Sequence, residues 1–419
     1  MLGSNVRPDV KTRLQRIKTN FTLMEISGSL GDLGTLIPIL ISLSITHQVS
    51  LASSLVFGGL FNILSGFMFG VPICVQPMKA IAAAALSKHL SNEEIASAGM
   101  FVSGVVFFLG VTGLLTLVNR WIPLPVIKGI QVGAGLQLMF KAVDMLSPLA
   151  WWGSSIKWQD NYWWVLFTCA IVLVGFKFKR FPSAFVVFII GLIIAIIDLV
   201  INKKQGPRFE IIHFPIIVPS PSQFVNGIVQ AGIGQFPLTT LNSVIAVIAL
   251  ANELFPQQGP FTPRPMAASV GIMNLIGCWF GSMPFCHGSG GLAGQYRFGA
   301  RTEVSTLVLG LIKLFLGLFL GQSLLGLLNC FPKSILAVLL FVSGLELAKA
   351  GRVYSTNMND DKSRQNDFMV LLVTTGLLTG YKNDLIGFVG GMVTYYVTLI
   401  IDKLNQRFKK PSVAADESA

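Results

Sequence analysis

Long apolar runs separated by short polar stretches make up most of the chain. Twelve runs are clear. Each is near the roughly 20 residues that a helix needs to cross a bilayer, although several are shorter. The polar stretches, such as 201–222 and 349–367, are the size of loops. The pattern therefore predicts an all-α polytopic membrane protein with runs at 21–45, 50–70, 96–118, 125–145, 161–177, 182–200, 225–250, 266–281, 303–328, 332–348, 367–381 and 384–402.

Two further segments, 72–90 and 284–299, are too rich in glycine or alanine and too polar for ordinary spans. With them the prediction is fourteen transmembrane segments, of which these two are segments 3 and 10. Interrupted segments at corresponding positions of two halves are typical of the binding site of a transporter. We therefore expect the functional site in these two segments.

Short blocks that share two or three identical residues recur along the chain at shifts of 212 and 209 residues. A duplication explains the nearly constant spacing. Because each half would contain seven segments, an odd number, the second half would enter the membrane from the opposite side, which predicts a 7+7 inverted repeat. The matched blocks are Gly59–Asn62 with Gly271–Asn274, Pro72–Cys74 with Pro284–Cys286, and Gly135–Leu138 with Gly344–Leu347.

Composition agrees with the hydrophobic pattern. Hydrophobic residues make up 53% of the chain and charged residues 12%, against about 25% charged in soluble domains. The net charge of +12 favours positive-inside loops and contact with anionic lipid over nucleic-acid binding. If the basic clusters are cytoplasmic, both termini are cytoplasmic and the number of segments is even.

The sequence contains little that indicates catalysis. The five cysteines all lie in apolar runs, and their odd number favours buried free thiols over disulfides. Residues 1–20 are polar and basic, and the first apolar run is long enough to span, so no cleavable signal peptide is expected. We find no nucleophile–base pair and no metal-ligand cluster, so the sequence predicts neither an enzyme nor a cofactor.

Prolines shape both interrupted segments. Pro72 and Pro77 remove backbone donors and disfavour helix before them, so an extended lead should precede a helix that starts near Gln76–Met78. Pro284 leads through His287–Gly291 into a second helix. Two helix N-termini near the middle of the membrane would carry unsatisfied N–H groups and positive dipole ends. Such a pair suits an anion.

The polar and small residues of these segments are the candidate ligands. Glycine lets the backbone approach a ligand closely, lysine adds a full charge, and the polar side chains add donors. The first segment of each half should face the half-helices and supply further polar groups. The predicted substrate-binding residues are Ser27, Gln76, Met78, Lys79, Gln235, His287, Gly288, Ser289, Gly290 and Gly291.

For several of these residues a purely structural role is an open alternative. For the small residues, such as Ala82–Ala85, the alternative is a role in tight helix packing alone. For His287 the alternative is a hydrogen bond to a neighbouring residue and no contact with a ligand. Arg297 and Arg301 are expected to anchor the cytoplasmic end of their segment, and snorkelling or ion pairing is the default expectation for Lys313.

Asp32 is an acidic residue in the first apolar run, and a buried carboxylate is costly unless it is paired. Lys79 is one candidate partner and a coupling proton is another. Asp32 and His287 are therefore the predicted coupling residues. The alternative for Asp32 is that it only holds two helices together.

The two interrupted segments also resemble a known family. Pro72–Leu86, PICVQPMKAIAAAAL, and Pro284–Arg301, PFCHGSGGLAGQYRFGAR, are similar to two signatures of the eukaryotic-type molybdate transporters, a family related to the sulfate permeases. The resemblance covers nearly the whole chain. It implies a 7+7 inverted-repeat fold in which a core domain carries the substrate between segments 3 and 10. Movement of the core against a gate domain would give alternating access, and the gate would form a homodimer.

The resemblance also implies domain boundaries. A cytoplasmic N-terminus covers 1–20 and a cytoplasmic C-terminus 403–419; the core covers 21–118 (segments 1–4) and 223–328 (segments 8–11), the gate 119–200 (segments 5–7) and 329–402 (segments 12–14), and an external loop 201–222. Related nucleobase permeases carry acidic residues where this chain has Gln235 and Ser289, which favours an oxyanion.

The leading hypothesis is therefore a secondary active transporter of molybdate, with a proton as one candidate coupling ion. A transporter of sulfate or another oxyanion is the first alternative, and an anion channel or motor-like protein of the same fold is the second. The expected partners are molybdate, the lipid bilayer and a second copy of the chain, and no nucleic acid. A plasma membrane and a vacuolar or other internal membrane fit equally well.

Overall fold

The computed structural model describes residues 10–152, 157–178, 180–209, 212–354 and 362–408. Parts of both predicted cytoplasmic termini lie outside these residues. Within them the fold is a bundle of helices around one two-stranded ribbon. The helices are α1 Val10–Asn20, α2 Leu23–Ser29, α3 Leu33–Ile45, α4 Leu51–Phe69, α5 Lys79–Lys88, α6 Asn92–Val111, α7 Leu114–Trp121, α8 Leu124–Leu146, α9 Tyr162–Lys177, α10 Ser183–Ile201, α11 Pro221–Gly227, α12 Ile233–Thr240, α13 Val247–Leu254, α14 Pro263–Gly277, α15 Ser289–Arg297, α16 Val304–Leu320, α17 Leu325–Asn329, α18 Lys333–Ala348, α19 Lys362–Tyr381 and α20 Asp384–Phe408.

The structure agrees with a polytopic membrane protein. Within the described ranges, six helices are long and apolar enough to cross a bilayer, and α2 with α3 forms a seventh candidate that is bent by 42°. Several other predicted segments are too short or too interrupted to qualify on length and composition. The count of fourteen, the inverted repeat and the domain boundaries therefore stay predictions.

Two predicted runs differ in detail from the structure. The run 96–118 is not one helix, because α6 ends at Val111 and Gly113, at φ 81°, turns the chain into α7. The run 225–250 lies within a continuous helix, Pro221–Leu254. This helix contains π-helical turns on both sides of Pro237, whose missing N–H disturbs the regular hydrogen-bond ladder.

Helices of the first half of the chain pack on helices of the second half. α4 packs along α16, α6 along α14, and α8 along α18. At the crossing of α8 and α18, a Cβ on Gly135 would lie 2.6 Å from the Gly344 carbonyl oxygen, and a Cβ on Gly344 would lie 2.6 Å from that of Gly135. The two glycines therefore allow the two backbones to touch.

The ribbon lies in the middle of this packing. Strand β1, Val75–Pro77, pairs antiparallel with strand β2, Phe285–His287, and Gln76 is opposite Cys286. The pairing continues one residue further, where the Met78 N–H donates to the Pro284 carbonyl at 2.8 Å. The ribbon joins the two interrupted segments directly.

Buried asparagines hold both strands. The Val75 N–H donates to Asn62 Oδ1 at 2.9 Å, and the Phe285 N–H donates to Asn274 Oδ1 at 2.6 Å. A two-stranded ribbon leaves outer backbone groups unpaired, and leaving them unpaired in a buried site is costly. The two asparagines, which match in the sequence blocks, therefore each accept a hydrogen bond from a backbone N–H of one strand.

Candidate functional site

Each strand of the ribbon runs directly into a short helix. β1 leads through extended Met78 into α5, and β2 leads through extended Gly288 into α15. Because the strands are antiparallel, the two helices start at opposite ends of the ribbon. The predicted order of an extended lead followed by a helix is confirmed for both segments. Gly288 has no side chain and Met78 has only a weakly accepting thioether, and neither residue makes a side-chain hydrogen bond that caps its helix.

A side chain from another helix reaches the start of α5. Gln235 Oε1 accepts hydrogen bonds from the N–H groups of Ala80 at 2.8 Å and Ile81 at 3.3 Å. The amide nitrogen of Gln235 donates to Thr239 Oγ1 at 2.8 Å, which fixes the orientation of the side chain. A neutral oxygen thus lies where the positive end of the helix dipole attracts an anion.

The start of α15 is built from glycines in close contact with their neighbours. A Cβ on Gly288 would overlap Gln76 Oε1. A Cβ on Gly291 would lie 2.5 Å from both Cys74 Sγ and Gln76 Nε2, and one on Gly290 would lie 2.6 Å from a methyl group of Leu138. The structure therefore shows a packing reason for all three predicted glycines.

Segment 8 also supplies a polar side chain to α15. The Ser289 hydroxyl donates to Asn242 Oδ1, and both residues are buried. Asn242 lies in the second π-helical turn, which follows α12. The same long helix therefore contacts both half-helices, through Gln235 at α5 and through Asn242 at α15.

Asp32 joins the site through Gln76. The Gln76 side-chain amide donates to Asp32 Oδ1, and the Cys74 thiol lies 3.9 Å from the other carboxylate oxygen. Asp32 occupies the break between α2 and α3 and is 3% exposed. Gln76 Oε1 has no hydrogen-bond partner in the part of the chain that the structure describes.

Two lysines interact electrostatically with Asp32. Lys79, in the first turn of α5, is half-buried and acts on Asp32 and on Asp384 at the start of α20. Lys313, in α16, is 3% exposed, interacts electrostatically with Asp32, and donates to the Val75 carbonyl at 3.4 Å. Snorkelling or ion pairing was the default expectation for Lys313, and its burial beside Asp32 matches ion pairing rather than snorkelling. The available signal was the position of Lys313 near the middle of an apolar run.

His287 lies on the face of the ribbon opposite to Gln76. It pairs with Val75, and one ring nitrogen is 2.9 Å from Ser269 Oγ while the other is 3.2 Å from the Cys74 carbonyl oxygen. Both nitrogens therefore have partners within the protein. The ligand and coupling roles of His287 stay predictions, and the contacts favour the alternative in which it is bonded to neighbours.

Ser27 is buried away from the ribbon. Its hydroxyl oxygen accepts a hydrogen bond from the Phe185 N–H at 3.4 Å, which joins α2 to the start of α10. Met78 is buried at the end of the ribbon and contributes its backbone. Nine of the ten predicted ligands therefore lie on the ribbon or at the starts of the two half-helices, although the His287 side chain is on the face opposite to Gln76, and Ser27 lies elsewhere.

The arginines that follow the half-helix have partners at its far end. The Arg297 guanidinium lies 3.6 Å from a Glu346 carboxylate oxygen and 3.5 Å above the Phe176 ring. The Arg301 guanidinium lies 3.8 Å above the Tyr296 ring. Neither contact involves the helix N-termini, and the role of both arginines as cytoplasmic anchors stays a prediction.

A cavity of about 320 Å³ lies apart from the ribbon. Its polar lining includes Lys157, Asp160, Lys204 and Lys333. Lys204 donates to Asp198 at 3.0 Å, and this hydrogen bond raises the pKa of the Lys204 amine. The residues of the ribbon are instead almost fully buried, so the site between the half-helices is closed.

Solved structures with a similar fold are anion transporters of another group. The chain aligns with SLC26A9 with a TM-score of 0.61 at 14% identity, covering 94% of this chain and 68% of that one. It aligns with the transmembrane domain of BicA, a cyanobacterial bicarbonate transporter, with a TM-score of 0.57 at 16% identity, covering 88% and 97%. At these identities the similarity shows the fold alone, and it agrees with an arrangement of core and gate domains.

Sequence relatives are closer. Molybdate transporter 1 of Arabidopsis thaliana is 37% identical over 91% of this chain and 90% of its own length. Molybdate transporter 2 of the same plant is 36% identical, covering 88% and 86%, and Molybdate transporter 1 of Chlamydomonas reinhardtii is 33% identical, covering 84% and 88%.

A family profile matches both halves of the chain. The profile, described as "Molybdate transporter of MFS superfamily", matches residues 24–138 and 227–347. These two regions contain the ribbon, both half-helices and the polar residues of segment 8. The profile and the relatives agree, and the chain belongs to the molybdate transporter family, whose members are transport proteins rather than enzymes.

Proposed function

We propose that this chain carries molybdate across a membrane and binds it between the N-termini of α5 and α15. The names of the relatives supply the substrate. The observation that carries the site is the Gln235 oxygen on the Ala80 and Ile81 N–H groups. An oxygen already occupies the hydrogen-bonding position that an oxyanion would take at a helix N-terminus.

The predicted ligands would contribute different groups to binding. Gln235 would move off α5 as an oxyanion oxygen takes its place, and Lys79 would supply a full positive charge. On the other side Ser289 would donate its hydroxyl, and Gly288–Gly291 would bring the backbone N–H groups close. Gln76, whose Oε1 lies against α15, would rotate to present its amide protons. Ser27 and His287 would stabilise the surroundings.

Transport would proceed by elevator-like movement of the core against the gate. The similarity of the fold to anion transporters supports this mechanism. The crosswise packing of the two halves and the matched Asn62 and Asn274 support a 7+7 inverted repeat with fourteen segments. Homodimerisation through the gate, cytoplasmic termini, and a plasma or internal membrane complete the proposal.

Asp32 is the proposed site of proton coupling. Lys313, Lys79 and Cys74 are the charged and titratable groups that act on it in the described structure. A dianion brought next to an ionised Asp32 would be repelled, and protonation of Asp32 removes that repulsion. Uptake of one proton with each dianion follows. His287 is the second candidate, although both its ring nitrogens already have partners.

The test is binding and uptake by purified protein. We expect micromolar molybdate to bind and to enter proteoliposomes with saturable kinetics, and tungstate to compete better than sulfate. Absence of binding at micromolar molybdate would contradict the proposal. A preference for sulfate would assign the chain to sulfate transport, and uptake that does not saturate would indicate a channel.

A further inference from the structure

Lys313 is a buried cation of the site to which the proposed function assigns no role in substrate binding. It projects from α16, which packs along α4, and its ammonium donates to the Val75 carbonyl of β1 at 3.4 Å. That hydrogen bond uses one of the three donors of the ammonium. The Lys313 side chain is 3% exposed, and a buried ammonium needs an opposite charge to offset the loss of its hydration. Asp32 is its electrostatic partner.

The charges near the ribbon can be counted. Lys79 and Lys313 are positive and Asp32 is negative, so with these three ionised and with Asp384, which also interacts with Lys79, neutral, the site carries one net positive charge. A monoanion would neutralise it. A dianion would leave one negative charge, unless Asp32 takes up a proton, in which case two lysines face two negative charges. Unbalanced charge is costly in a buried site.

We infer that Lys313 selects the charge of the substrate, because it is the second cation that a tetrahedral dianion requires. This inference rests on the proposed function and deepens it. Lys313 acts on the ligand through the electrostatic field of the site and through Val75, so it is a specificity-determining residue without a contact to the ligand being required.

A purely structural role for Lys313 makes a different prediction. If Lys313 only held β1 and Asp32 in place, its removal would weaken the binding of all anions of the same shape by the same factor. Molybdate and perrhenate are both tetrahedral oxyanions of nearly the same size, and they differ by one charge. The ratio of their affinities therefore reports charge selection separately from the shape of the site.

The experiment measures both dissociation constants by calorimetry on purified full-length protein at fixed ionic strength. For Lys313→Met we expect molybdate affinity to fall by at least about tenfold and perrhenate affinity to change by less than about threefold. Lys128→Met is the matched control. Lys128 is also a buried lysine, but it pairs with Glu253 away from the ribbon, so the ratio should not change.

A second comparison avoids leaving Asp32 buried without its partner, since an unpaired buried charge destabilises the single variant. Asp32→Asn keeps both lysines, and Asp32→Asn combined with Lys313→Met removes one of them. We expect the preference for molybdate over perrhenate to fall at least about tenfold between these two variants. If the ratio of molybdate affinity to perrhenate affinity differs by less than about threefold between the two folded variants, the inference is overturned. Wild-type protein that binds perrhenate but not molybdate would instead contradict the proposed function.

Discussion

The two arms of the site share one backbone design and differ in charge. We call β1 with α5, together with Asp32 and Lys313, the charged arm, and β2 with α15 the neutral arm. The charged arm combines two lysines and a carboxylate. The neutral arm presents glycines and a serine bonded to Asn242. We propose that attraction and charge selection belong to the charged arm, whereas the neutral arm sets the space available to the ligand.

The largest expected effect is on the charged arm. Lys79→Ala should weaken molybdate binding roughly 100-fold, since loss of a charged partner of a bound, largely desolvated anion costs about 3 kcal/mol. Calorimetry on purified protein measures the change. Lys88→Ala is the control, because Lys88 lies at the far end of α5 and donates to Gln230. Normal binding by Lys79→Ala would show that the charged arm is not where the anion binds.

Asp32→Asn should remove coupling while leaving binding nearly intact. One coupled proton supplies roughly tenfold accumulation for each pH unit of gradient. We expect that accumulation to be lost in proteoliposomes, with molybdate affinity changed by less than about threefold. Exchange of internal for external molybdate without a gradient is the control reaction. An equal loss of binding and uptake would identify Asp32 as part of a structural ion pair.

On the neutral arm, Gly291→Ala tests the role of space. The new methyl group would lie 2.5 Å from Cys74 Sγ, and such overpacking costs about 1–3 kcal/mol. We expect roughly tenfold weaker molybdate binding and a smaller loss for sulfate, because sulfate is smaller. Gly376→Ala is the control, since a Cβ there meets no atom within 4 Å among the described residues. Equal losses for both anions would place size selection elsewhere.

The smallest effect is expected at His287. Its ring bonds to Ser269 and Cys74 on the face of the ribbon away from Gln76. His287→Gln should therefore change molybdate affinity by less than about threefold and lower the unfolding temperature by a few degrees, as the loss of a buried hydrogen bond does. A large loss of affinity at unchanged thermal stability would restore the ligand role that the sequence predicts.

The strand-and-helix order of both arms was predictable because its causes are local. Pro72, Pro77 and Pro284 restrict the chain before each helix, and glycine at 288 allows close approach. The membrane class follows from run length alone, and the two signature stretches were sufficient to suggest the family. His287, by contrast, was predicted on residue type, and which face of a strand it occupies depends on register with a partner strand.

The sequence alone thus determined the apolar helices and the two interrupted segments, because helix length and proline geometry act over a few residues. It also showed that lysine and aspartate lie within apolar stretches, where a buried charge needs a partner. Only the tertiary structure decided which charges meet. Asp32 precedes α3, Gln76 lies on β1 and Lys313 lies on α16, and they come together because the first half of the chain packs crosswise on the second. Such contacts depend on the packing of the whole bundle, which short-range patterns do not specify.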